Sequence, residues 1–303
     1  MRHLIRVPAT TANLGPGFDC LGLALDLWND VEVEAAGDSL TITVEGEGAG
    51  KIPLDRSNTI YKTMQLYANR HHKTLPKGIK LHCRNRIPVG SGLGSSSAAI
   101  VSGILAASVI LEIPQDLTDQ LECSANIEGH PDNVGPCLLG GLVAAILSDN
   151  KVIARKLEVA SLSLMIVVPD YHFPTETARA ALPKELPRQD AIFNLGHLAL
   201  LTYGLGRGDL DLLASAMQDK LHQPYRIPVI PGAIEAIAAA KQNGAAAVAL
   251  SGAGPSLLIV LHGDGDRDKV GQAVTEAYRV AGLTSHIFSP EITLSGASIS
   301  VIS

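Results

Sequence analysis

Residues 88–98 combine three alternating glycines with a serine triplet, a pattern suited to holding an anion. The segment reads Pro-Val-Gly-Ser-Gly-Leu-Gly-Ser-Ser-Ser-Ala. Glycines let backbone amides approach an anion closely, and the apolar run that follows predicts a helix whose positive dipole end faces the same ligand. Serine hydroxyls donate to phosphate oxygens or reach a Mg²⁺ ion. The sequence therefore predicts that the following residues bind the phosphates of a nucleotide: Pro88, Val89, Gly90, Ser91, Gly92, Leu93, Gly94, Ser95, Ser96, Ser97 and Ala98.

This loop matches neither of the commonest glycine signatures. The nearest Walker-type candidate ends at Gly50-Lys51, but Glu45 and Ile52 occupy the positions that need Gly and Ser or Thr. The dinucleotide fingerprint also fails, because Ser97 stands where its third glycine belongs. A merely flexible turn is the simpler alternative. The immediate junction with an apolar helix favours phosphate binding over it.

Two further glycine-rich segments and one short polar motif stand out. Residues 8–22 read Pro-Ala-Thr-Thr-Ala-Asn-Leu-Gly-Pro-Gly-Phe-Asp-Cys-Leu-Gly, and residues 251–256 read Ser-Gly-Ala-Gly-Pro-Ser. Both border apolar runs, whereas a flexible linker would have polar, aperiodic flanks. The polar motif is Glu-Gly-His-Pro-Asp-Asn at 128–133.

The four motifs follow one another along the chain at residues 8–22, 88–98, 128–133 and 251–256. In this order they resemble the motifs of the GHMP kinases, a family of kinases that act on small molecules. Residues 88–96 resemble the family's phosphate loop, and residues 251–256 resemble its third motif. Residues 8–22 and 128–133 are similar to the members that act on L-homoserine. The resemblance implies an α+β fold with two domains. The first would be ribosomal-protein-S5-domain-2-like, the second ferredoxin-like, and the active site would lie between them.

The same resemblance implies the reaction. It is the ATP- and Mg²⁺-dependent transfer of the γ-phosphoryl group to the hydroxyl of L-homoserine, which gives O-phospho-L-homoserine on the route to threonine. It also implies a homodimer. Two alternatives stay open: another small-molecule kinase of the family acting on mevalonate or a sugar, and a non-catalytic nucleotide-binding sensor. Mevalonate has no ammonium group, so it would make poor use of the acidic residues in the motifs.

A zwitterionic amino alcohol needs oxygen acceptors for its ammonium group and a cation for its carboxylate. An arginine fork suits a carboxylate, because it donates two parallel hydrogen bonds. Each candidate also has a simpler interpretation: Asn and Asp beside glycine form turns or caps, the histidine is structural, and the arginines are surface charges. The resemblance implies that the following residues bind the substrate: Asn13, Asp19, His130, Asp132, Asn133, Arg179 and Arg226.

Glu122 is the candidate metal ligand. It lies among apolar residues of a predicted helix, where an unpaired carboxylate would be costly to desolvate, so we expect a cation beside it. By resemblance that cation is Mg²⁺, shared with Ser96 or Ser97. A solvated helix face is the alternative. Asn58 is expected to cap the next helix, with a contact to the adenine or ribose as a second role.

The catalytic residues implied by the resemblance are Asn133, Glu122 and Ser96. Related mevalonate kinases have an aspartate where this chain has Asn133, and an amide cannot accept the proton of an alcohol. We therefore expect a mechanism without a protein base, because a loose phosphoryl-transfer transition state demands little activation of the nucleophile. Whether Thr175 or His130 assists stays open.

The elements that must position these residues follow from the apolar pattern. We expect strands near Val31–Ala35, Leu40–Val44, Ile79–Cys83 and Gly140–Leu147, with helices over Asn58–Arg70, Ala98–Leu111 and Leu117–Ile127 between them. In the second half of the chain we expect strands at Leu162–Val168, Ala246–Leu250, Ser256–Leu261 and Ser285–Phe288. We expect helices there within Ala191–Tyr203 and Leu210–Leu221, and at Pro231–Gln242 and Arg267–Ala281. That order is the split βαβ pattern of ferredoxin-like domains. Polarity rises around residues 149–158, so we predict an ATP-binding domain at 1–157 and a ferredoxin-like domain at 158–303.

Composition excludes several function classes. The 303 residues are 46% apolar and 18% charged, with a formal charge of −6, which argues against disorder. Without clusters of Lys and Arg, we expect neither nucleic acid nor an anionic membrane as a partner. The start lacks the apolar core of a secretion signal, so a cytoplasmic location is expected. The four cysteines, without a Cys-x-x-Cys spacing, are expected to be reduced packing residues.

Overall fold

The two longest strands of the chain form a hairpin at its start. In the computed structural model, which describes residues 1–302, β1 (Arg2–Asn13) pairs antiparallel with β2 (Gly17–Glu34). The residues between them make a tight turn, entered through the left-handed backbone of Asn13 and Leu14. The first glycine-rich motif is therefore a hairpin, and its strands extend well beyond the one short strand predicted here.

The hairpin is the centre of a seven-stranded sheet. Strand β3 (Leu40–Gly46) is parallel to β4 (Ile79–Asn85), and α1 (Thr59–Arg70) makes the crossover between them. The main order of strands is β11-β1-β2-β4-β3, in which β11 is Ser298–Ile302. Strand β5 (Leu142–Ser148) pairs with residues 21–23 of β2, and β6 (Lys151–Leu157) pairs with β5. The predicted strands in this half are confirmed, while β6 was not predicted.

Three helices follow β4. Helix α2 (Ser95–Ile110) is apolar on all sides and largely buried, as expected for a helix inside a core. Helix α3 (Leu117–Glu128) packs on it and begins at Asp116, whose carboxylate caps the first turn. The short α4 (Val134–Leu139) was not predicted. Together they hold the loop at 88–94 and the motif at 128–133 against the hairpin.

A second sheet has four strands in the order β10-β7-β9-β8, all antiparallel. They are β7 (Leu164–Pro169), β8 (Ala245–Leu250), β9 (Leu257–Leu261) and β10 (Ser285–Phe288). Both faces of β7 are buried, since alternate residues belong to two different apolar clusters. This strand order confirms the predicted ferredoxin-like pattern.

Six helices belong to this half of the chain. They are α5 (Thr175–Ala180), α6 (Arg188–Arg207), α7 (Leu210–Ala216), α8 (Gln223–Arg226), α9 (Ala233–Gln242) and α10 (Arg267–Val280). Helices α9 and α10 cover one face of the sheet, while α6 and α7 lie on the other side. The predicted helix at Leu210–Leu221 ends early, at Ala216, because residues 217–222 form a loop around Asp219.

The last described strand lies in the first sheet. Strand β11 (Ser298–Ile302) pairs antiparallel with β1, so residues 298–302 return to the N-terminal half. The chain passes from the first sheet to the second between β6 and β7, which is where the predicted domain division at 157 and 158 lies. Because β11 returns to the first sheet, one division of the sequence does not separate the two sheets. The division stays a prediction.

Cys20, Cys83, Cys123 and Cys137 are all free thiols. Within residues 1–302, none of the helices combines the length and the apolar character that crossing a membrane requires.

Candidate functional site

A cleft of about 400 Å³ lies where the first motif, the loop at 88–94 and the second half of the chain meet. Its walls come from the β1–β2 hairpin, the start of α2, the motif at 128–133, α5, α8 and the turn at 252–254. One end is apolar and the other is rich in charged and amide side chains. Concave sites with a few convergent polar groups are the usual places for small ligands.

The loop at 88–94 delivers backbone amides to this cleft. Gly90, Gly92 and Gly94 have φ values of +68°, +84° and +70°, which residues with a side chain rarely adopt. Gly94 is the N-cap of α2 and offers no side-chain cap. The first amides of α2 therefore have no acceptor within the helix and remain available to an anion, with the positive end of the dipole behind them.

The glycines of the loop differ in what surrounds them. A Cβ on Gly94 would lie 2.0 Å from Thr10 Oγ1, and one on Gly92 would lie 2.2 Å from the carbonyl oxygen of Ser251. A Cβ on Gly90 would meet only His172 Nδ1, at 4.0 Å. Close packing against the first and third motifs thus requires Gly92 and Gly94, whereas Gly90 is needed for its backbone angle alone.

The third motif holds the loop in place. Ser251 Oγ donates to the carbonyl of Gly92 at 2.8 Å, and Ser256 Oγ donates to the carbonyl of Ser91 at 2.5 Å. The amide of Gly252 donates to the carbonyl of Ala12 at 3.0 Å. Residues 251–256 therefore join the phosphate loop to the hairpin, and their main contribution is to position the loop.

Glu128, which was not among the predicted site residues, carries the acidic group at the start of α2. Its two carboxylate oxygens accept hydrogen bonds from Ser96 Oγ at 2.9 Å and Ser97 Oγ at 3.0 Å. A carboxylate at the C-terminal end of a helix is unfavourable to the helix dipole, and that signal could have pointed to a functional role. These three side chains form a cluster of hard oxygen donors of the kind that binds Mg²⁺.

The structure does not bring Glu122, the predicted metal ligand, to the serines at the start of α2. Its carboxylate lies 3.8 Å from the guanidinium of Arg70, outside the cleft. Glu122 and Glu128 are both on α3, but six residues separate them by about 9 Å along the axis and about 120° around it. The cation inferred for Glu122 is therefore an arginine at the protein surface, and Glu128 is the residue that meets the predicted serines.

Asp19 and Arg179 contact each other across the cleft. Two guanidinium nitrogens of Arg179 donate to the two carboxylate oxygens of Asp19, at 2.9 and 3.0 Å. This hydrogen-bonded ion pair is the largest cause that raises the pKa of Arg179 above its usual value. Asp19 has a φ of +55° and its amide donates to Asn13 Oδ1 at 3.0 Å, so the turn interpretation also applies.

Three titratable groups converge at the polar end. One ligand atom each from Asp19, His130 and Asp132 lie within 4.8 Å of one another. His130 Nδ1 is 2.5 Å from Asp132 Oδ1. Burial opposes protonation of His130, but the hydrogen bond to Asp132 and its charge outweigh it and raise the pKa of the imidazole. The cluster places the carboxylate oxygens of Asp19 and Asp132 at this end of the cleft, and such oxygens suit an ammonium group.

Asn133 presents an amide to the cleft rather than capping the next helix. Thr10 Oγ1 donates to Asn133 Oδ1 at 2.8 Å, and the side chain makes no cap bond although Asn133 occupies the N-cap of α4. With Oδ1 occupied by Thr10, the free part of this amide is its NH₂ group. Asn13 is fixed differently, because its Nδ2 donates to the carbonyl of Gly252 at 2.7 Å.

Arg226 is a buried cation in the floor of the cleft. It is only 1% exposed, and its guanidinium carbon lies 5.1 Å from the ring centroid of Phe18. Burial lowers its pKa to about 10, so it stays charged at neutral pH. The alternative that Arg226 is a surface charge is therefore wrong.

The apolar end is lined by residues of β2, β3, β4 and α1, including Val31, Val44 and Cys83. Asn58 lines it too, but both ends of its amide are engaged. Its oxygen caps α1 by accepting from the amide of Ile60, as predicted, and its nitrogen donates to the carbonyl of Pro53. Ser102, a residue that the sequence did not single out, lines the same end with a hydroxyl that has no hydrogen-bond partner within residues 1–302.

Most of the predicted site residues line the cleft. The exceptions in the phosphate loop face inward or support its shape: Pro88, Ser91, Leu93, Ser97 and Ala98. Ser97 still reaches the cleft through Glu128. The predicted substrate-binding and nucleotide-binding residues that line the cleft are Asn13, Asp19, Asn58, Val89, Gly90, Gly92, Gly94, Ser95, Ser96, His130, Asp132, Asn133, Arg179 and Arg226.

Comparisons with known proteins agree with this geometry. The family descriptions "GHMP kinases N terminal domain" and "GHMP kinases C terminal" match residues 58–141 and 201–280. The chain is 43% identical to the homoserine kinase of Moorella thermoacetica over 282 residues, which are 92% of this chain and 94% of that protein. The chain belongs to the GHMP kinase family, among its homoserine kinases. It is also 41% identical to the homoserine kinase of Gloeobacter violaceus, with 98% of each chain covered.

Solved structures give the same result. The crystal structure of the homoserine kinase from Cytophaga hutchinsonii has a TM-score of 0.87 and 30% identity, and the match covers 99% of this chain and 97% of that one. The L. major mevalonate kinase shares the fold at a TM-score of 0.73 with 14% identity. The predicted α+β GHMP kinase architecture and the predicted family are thus confirmed, and the use of ATP follows from the family.

Proposed function

We propose that this protein transfers the γ-phosphoryl group of ATP to the side-chain hydroxyl of L-homoserine, which gives O-phospho-L-homoserine and ADP on the route to threonine. The observation that carries the proposal is the charge arrangement in one cleft. Unoccupied amides at the start of α2 face the same space as Arg179, Arg226 and the acids of the polar end. Phosphate, carboxylate and ammonium groups thus each have a complementary partner.

The apolar end of the cleft suits the adenine ring, with the triphosphate running toward the loop at 90–96. Helix α2 begins at this loop, so its dipole and first amides face the phosphates. Within this arrangement Arg226 and Arg179 would bind the substrate carboxylate, and Asp19, Asp132 and Asn13 would surround its ammonium group. The substrate therefore lies between the phosphate loop and α5.

The donor set at the start of α2 fits a magnesium ion. Glu128 supplies a carboxylate, and Ser96 and Ser97 supply hydroxyls already within hydrogen-bond distance of it. These are oxygen ligands, which Mg²⁺ prefers. When bound, the ion would neutralise charge on the phosphate oxygens during transfer. Glu128 replaces Glu122 in this role.

The residues around the reacting hydroxyl orient it without removing its proton. Because Thr10 occupies the oxygen of Asn133, the side chain offers an NH₂ donor, which can hold a hydroxyl or phosphate oxygen but cannot accept a proton. His130 is engaged by Asp132. We therefore assign the catalytic contribution of this chain to positioning and to charge stabilisation by the amides at residues 95–97 and by Ser96. The proton would leave late, to a phosphate oxygen.

Phosphorus NMR tests the function directly. Purified protein with ATP and Mg²⁺ is incubated with L-homoserine, mevalonate, galactose or L-serine, and each mixture is followed for a new phosphate monoester signal. The proposal requires the signal with L-homoserine and a much weaker one, or none, with the other alcohols. A protein that binds ATP but yields no monoester with any of them would be a nucleotide sensor instead.

Three expectations from the sequence accompany this proposal. A homodimer, a cytoplasmic location and the lack of nucleic acid or membrane partners remain predictions. Sedimentation of the purified protein would decide the first. The alternative substrates mevalonate and sugars are less compatible with the cleft, because neither has an ammonium group to pair with Asp19 and Asp132.

A further inference from the structure

His222 is fully buried next to the cleft and connects it to the hairpin. Its side chain is 0% exposed. Nε2 lies 2.8 Å from the carbonyl oxygen of Gly15, and Nδ1 lies 3.2 Å from a terminal nitrogen of Arg226. The imidazole also stacks on Phe18, with ring centroids 5.2 Å apart and planes inclined by 22°. None of the predicted roles used this residue.

These two contacts fix the tautomer of the ring. The Gly15 carbonyl is an acceptor only, so Nε2 must carry the hydrogen. The guanidinium of Arg226 is a donor only, so Nδ1 must offer its lone pair. His222 is therefore held as a neutral imidazole that donates on one side and accepts on the other.

The environment favours this neutral form. Burial lowers the pKa of His222, and the charge of Arg226 acts in the same direction. Asp219 opposes them, since its carboxylate lies 3.6 Å from Nε2, and Asp19 opposes them from a greater distance. The carboxylate of Asp219 is itself engaged by the amides of Leu221, His222 and Gln223 and by Asn194 Nδ2.

Arg226 depends on few other contacts. Its Nε donates to the carbonyl of Ala178 at 3.2 Å, and one terminal N–H donates to His222. A guanidinium has five N–H donors, so the rest remain for a ligand in the cleft. Phe18, which lies against both the imidazole and the guanidinium, fixes the plane of the pair.

We infer that His222 is a positioning residue for substrate binding: its neutral Nδ1 holds the Arg226 guanidinium in the cleft floor, while its Nε2–H anchors the hairpin turn at Gly15. The inference rests on the proposed function, because it assigns Arg226 to the substrate carboxylate. The two ring nitrogens of His222 then have separate roles. Nδ1 governs affinity for L-homoserine, and Nε2 governs the stability of the hairpin contact.

Two near-isosteres separate these roles. In His222→Asn the side-chain oxygen lies near the position of Nδ1 and can accept from Arg226, but nothing donates to Gly15. In His222→Gln the amide nitrogen reaches the position of Nε2 and can donate to Gly15, but the acceptor for Arg226 is lost. We expect His222→Gln to raise the KM for L-homoserine roughly tenfold or more, because a hydrogen bond to a charged group is lost.

The two variants should rank in opposite order for affinity and stability. His222→Asn should keep a KM for L-homoserine within about threefold of the wild type yet melt several degrees lower, because the buried Gly15 carbonyl loses its donor. His222→Gln should melt closer to the wild type. The KM for ATP should stay unchanged in both. If both variants raise the KM equally, or if neither does, the Nδ1 contact does not position Arg226.

The pH profile of the wild-type protein and of His222→Asn gives a second readout. Protonation of Nδ1 would remove the acceptor and place a second cation beside Arg226. The KM of the wild-type protein for L-homoserine, measured at saturating ATP, should therefore rise as the pH falls through the depressed pKa of His222. The rise should be absent in His222→Asn. A rise that persists in His222→Asn would assign the titration to another group and overturn the inference.

Failure of the inference and failure of the proposed function are distinguishable. If the wild-type protein yields no phosphate monoester from L-homoserine, the proposed function fails before any variant is compared. If the wild-type protein is active and the two isosteres do not separate, only the role of His222 fails.

Discussion

Arg179 on α5 donates two parallel hydrogen bonds across the cleft to the carboxylate of Asp19 on β2. The proposed function assigns the carboxylate of the substrate to Arg179 and its ammonium group to Asp19. A zwitterion inserted between the two would replace the single ion pair with two, so neither charge would be left unpaired. In the absence of substrate, Asp19 and Arg179 thus neutralise each other, as the two charged groups of the substrate would neutralise them when bound. A ligand with only one of the two charges would leave one partner unmatched.

Replacing Arg179 by Lys tests this exchange. Lysine keeps the charge but lacks the planar fork, so it cannot make two parallel bonds to a carboxylate. We expect the KM for L-homoserine to rise by about tenfold or more, with little change in the KM for ATP. Steady-state kinetics at saturating ATP measures the effect. An unchanged KM would remove Arg179 from the substrate site.

The two glutamates of α3 offer a matched comparison. Glu128→Gln keeps the shape but weakens a ligand of the proposed magnesium site, so kcat should fall by about a hundredfold and the magnesium requirement should rise. Glu122→Gln, on the same helix but paired with Arg70 outside the cleft, should leave kcat within about twofold. Titration of activity with MgCl₂ for both proteins gives the readout. Equal loss in the two variants would contradict the assignment.

The sequence predicted this site well where a motif dictates a local structure. The glycines and serines at 88–98 predict a loop that opens a helix, and the structure has α2 beginning at Ser95. The sequence could not show that Glu122 lies outside the cleft, because apolar neighbours in sequence do not reveal which face of a helix meets α2. His222 and Ser102 were missed for a related reason. His222 contacts Gly15, which lies 207 residues away in the chain, and Ser102 has a hydroxyl without a partner within residues 1–302, so no local pattern singles out either residue.

Strands were also harder to predict at the ends of the chain. β11 pairs with β1 across almost the whole length of the sequence, and its few half-exposed residues give no strong alternation. The ferredoxin-like half was easier, because strands β7, β8 and β9 are buried along their whole length and read as continuous apolar runs.

Substitutions of two loop glycines should differ because of their surroundings. Gly94→Ala would place a Cβ 2.0 Å from Thr10 Oγ1, a side chain that itself bonds Asn133. We expect this variant to lose most activity and to melt several degrees lower. Gly90→Ala would meet only His172 Nδ1, at 4.0 Å, and should cost about 1 kcal/mol of backbone strain alone. Thermal unfolding and ATP titration compare them, and equal effects would show that the contact with Thr10 is unimportant.

Two buried serines of α2 allow the adenine end to be tested. The hydroxyl of Ser108 donates to the carbonyl of Ile104 at 2.9 Å, whereas that of Ser102 has no partner within residues 1–302 and lines the apolar end of the cleft. A buried hydroxyl without a partner is costly, so a polar edge of the bound base would stabilise it. Ser102→Ala should therefore raise the KM for ATP by about threefold to tenfold, because it removes that contact.

Ser108→Ala is the control on the same helix, since it deletes an equally buried hydroxyl that donates to the carbonyl of Ile104 and does not line the cleft. Its KM for ATP should stay at the wild-type value. Ser102→Ala should also raise the melting temperature of the free protein slightly, because the unpartnered group is gone, while the gain in melting temperature on adding ATP should shrink. A serine that served only packing would change neither the KM nor the ATP-dependent shift, and this combination separates nucleotide recognition from a packing role.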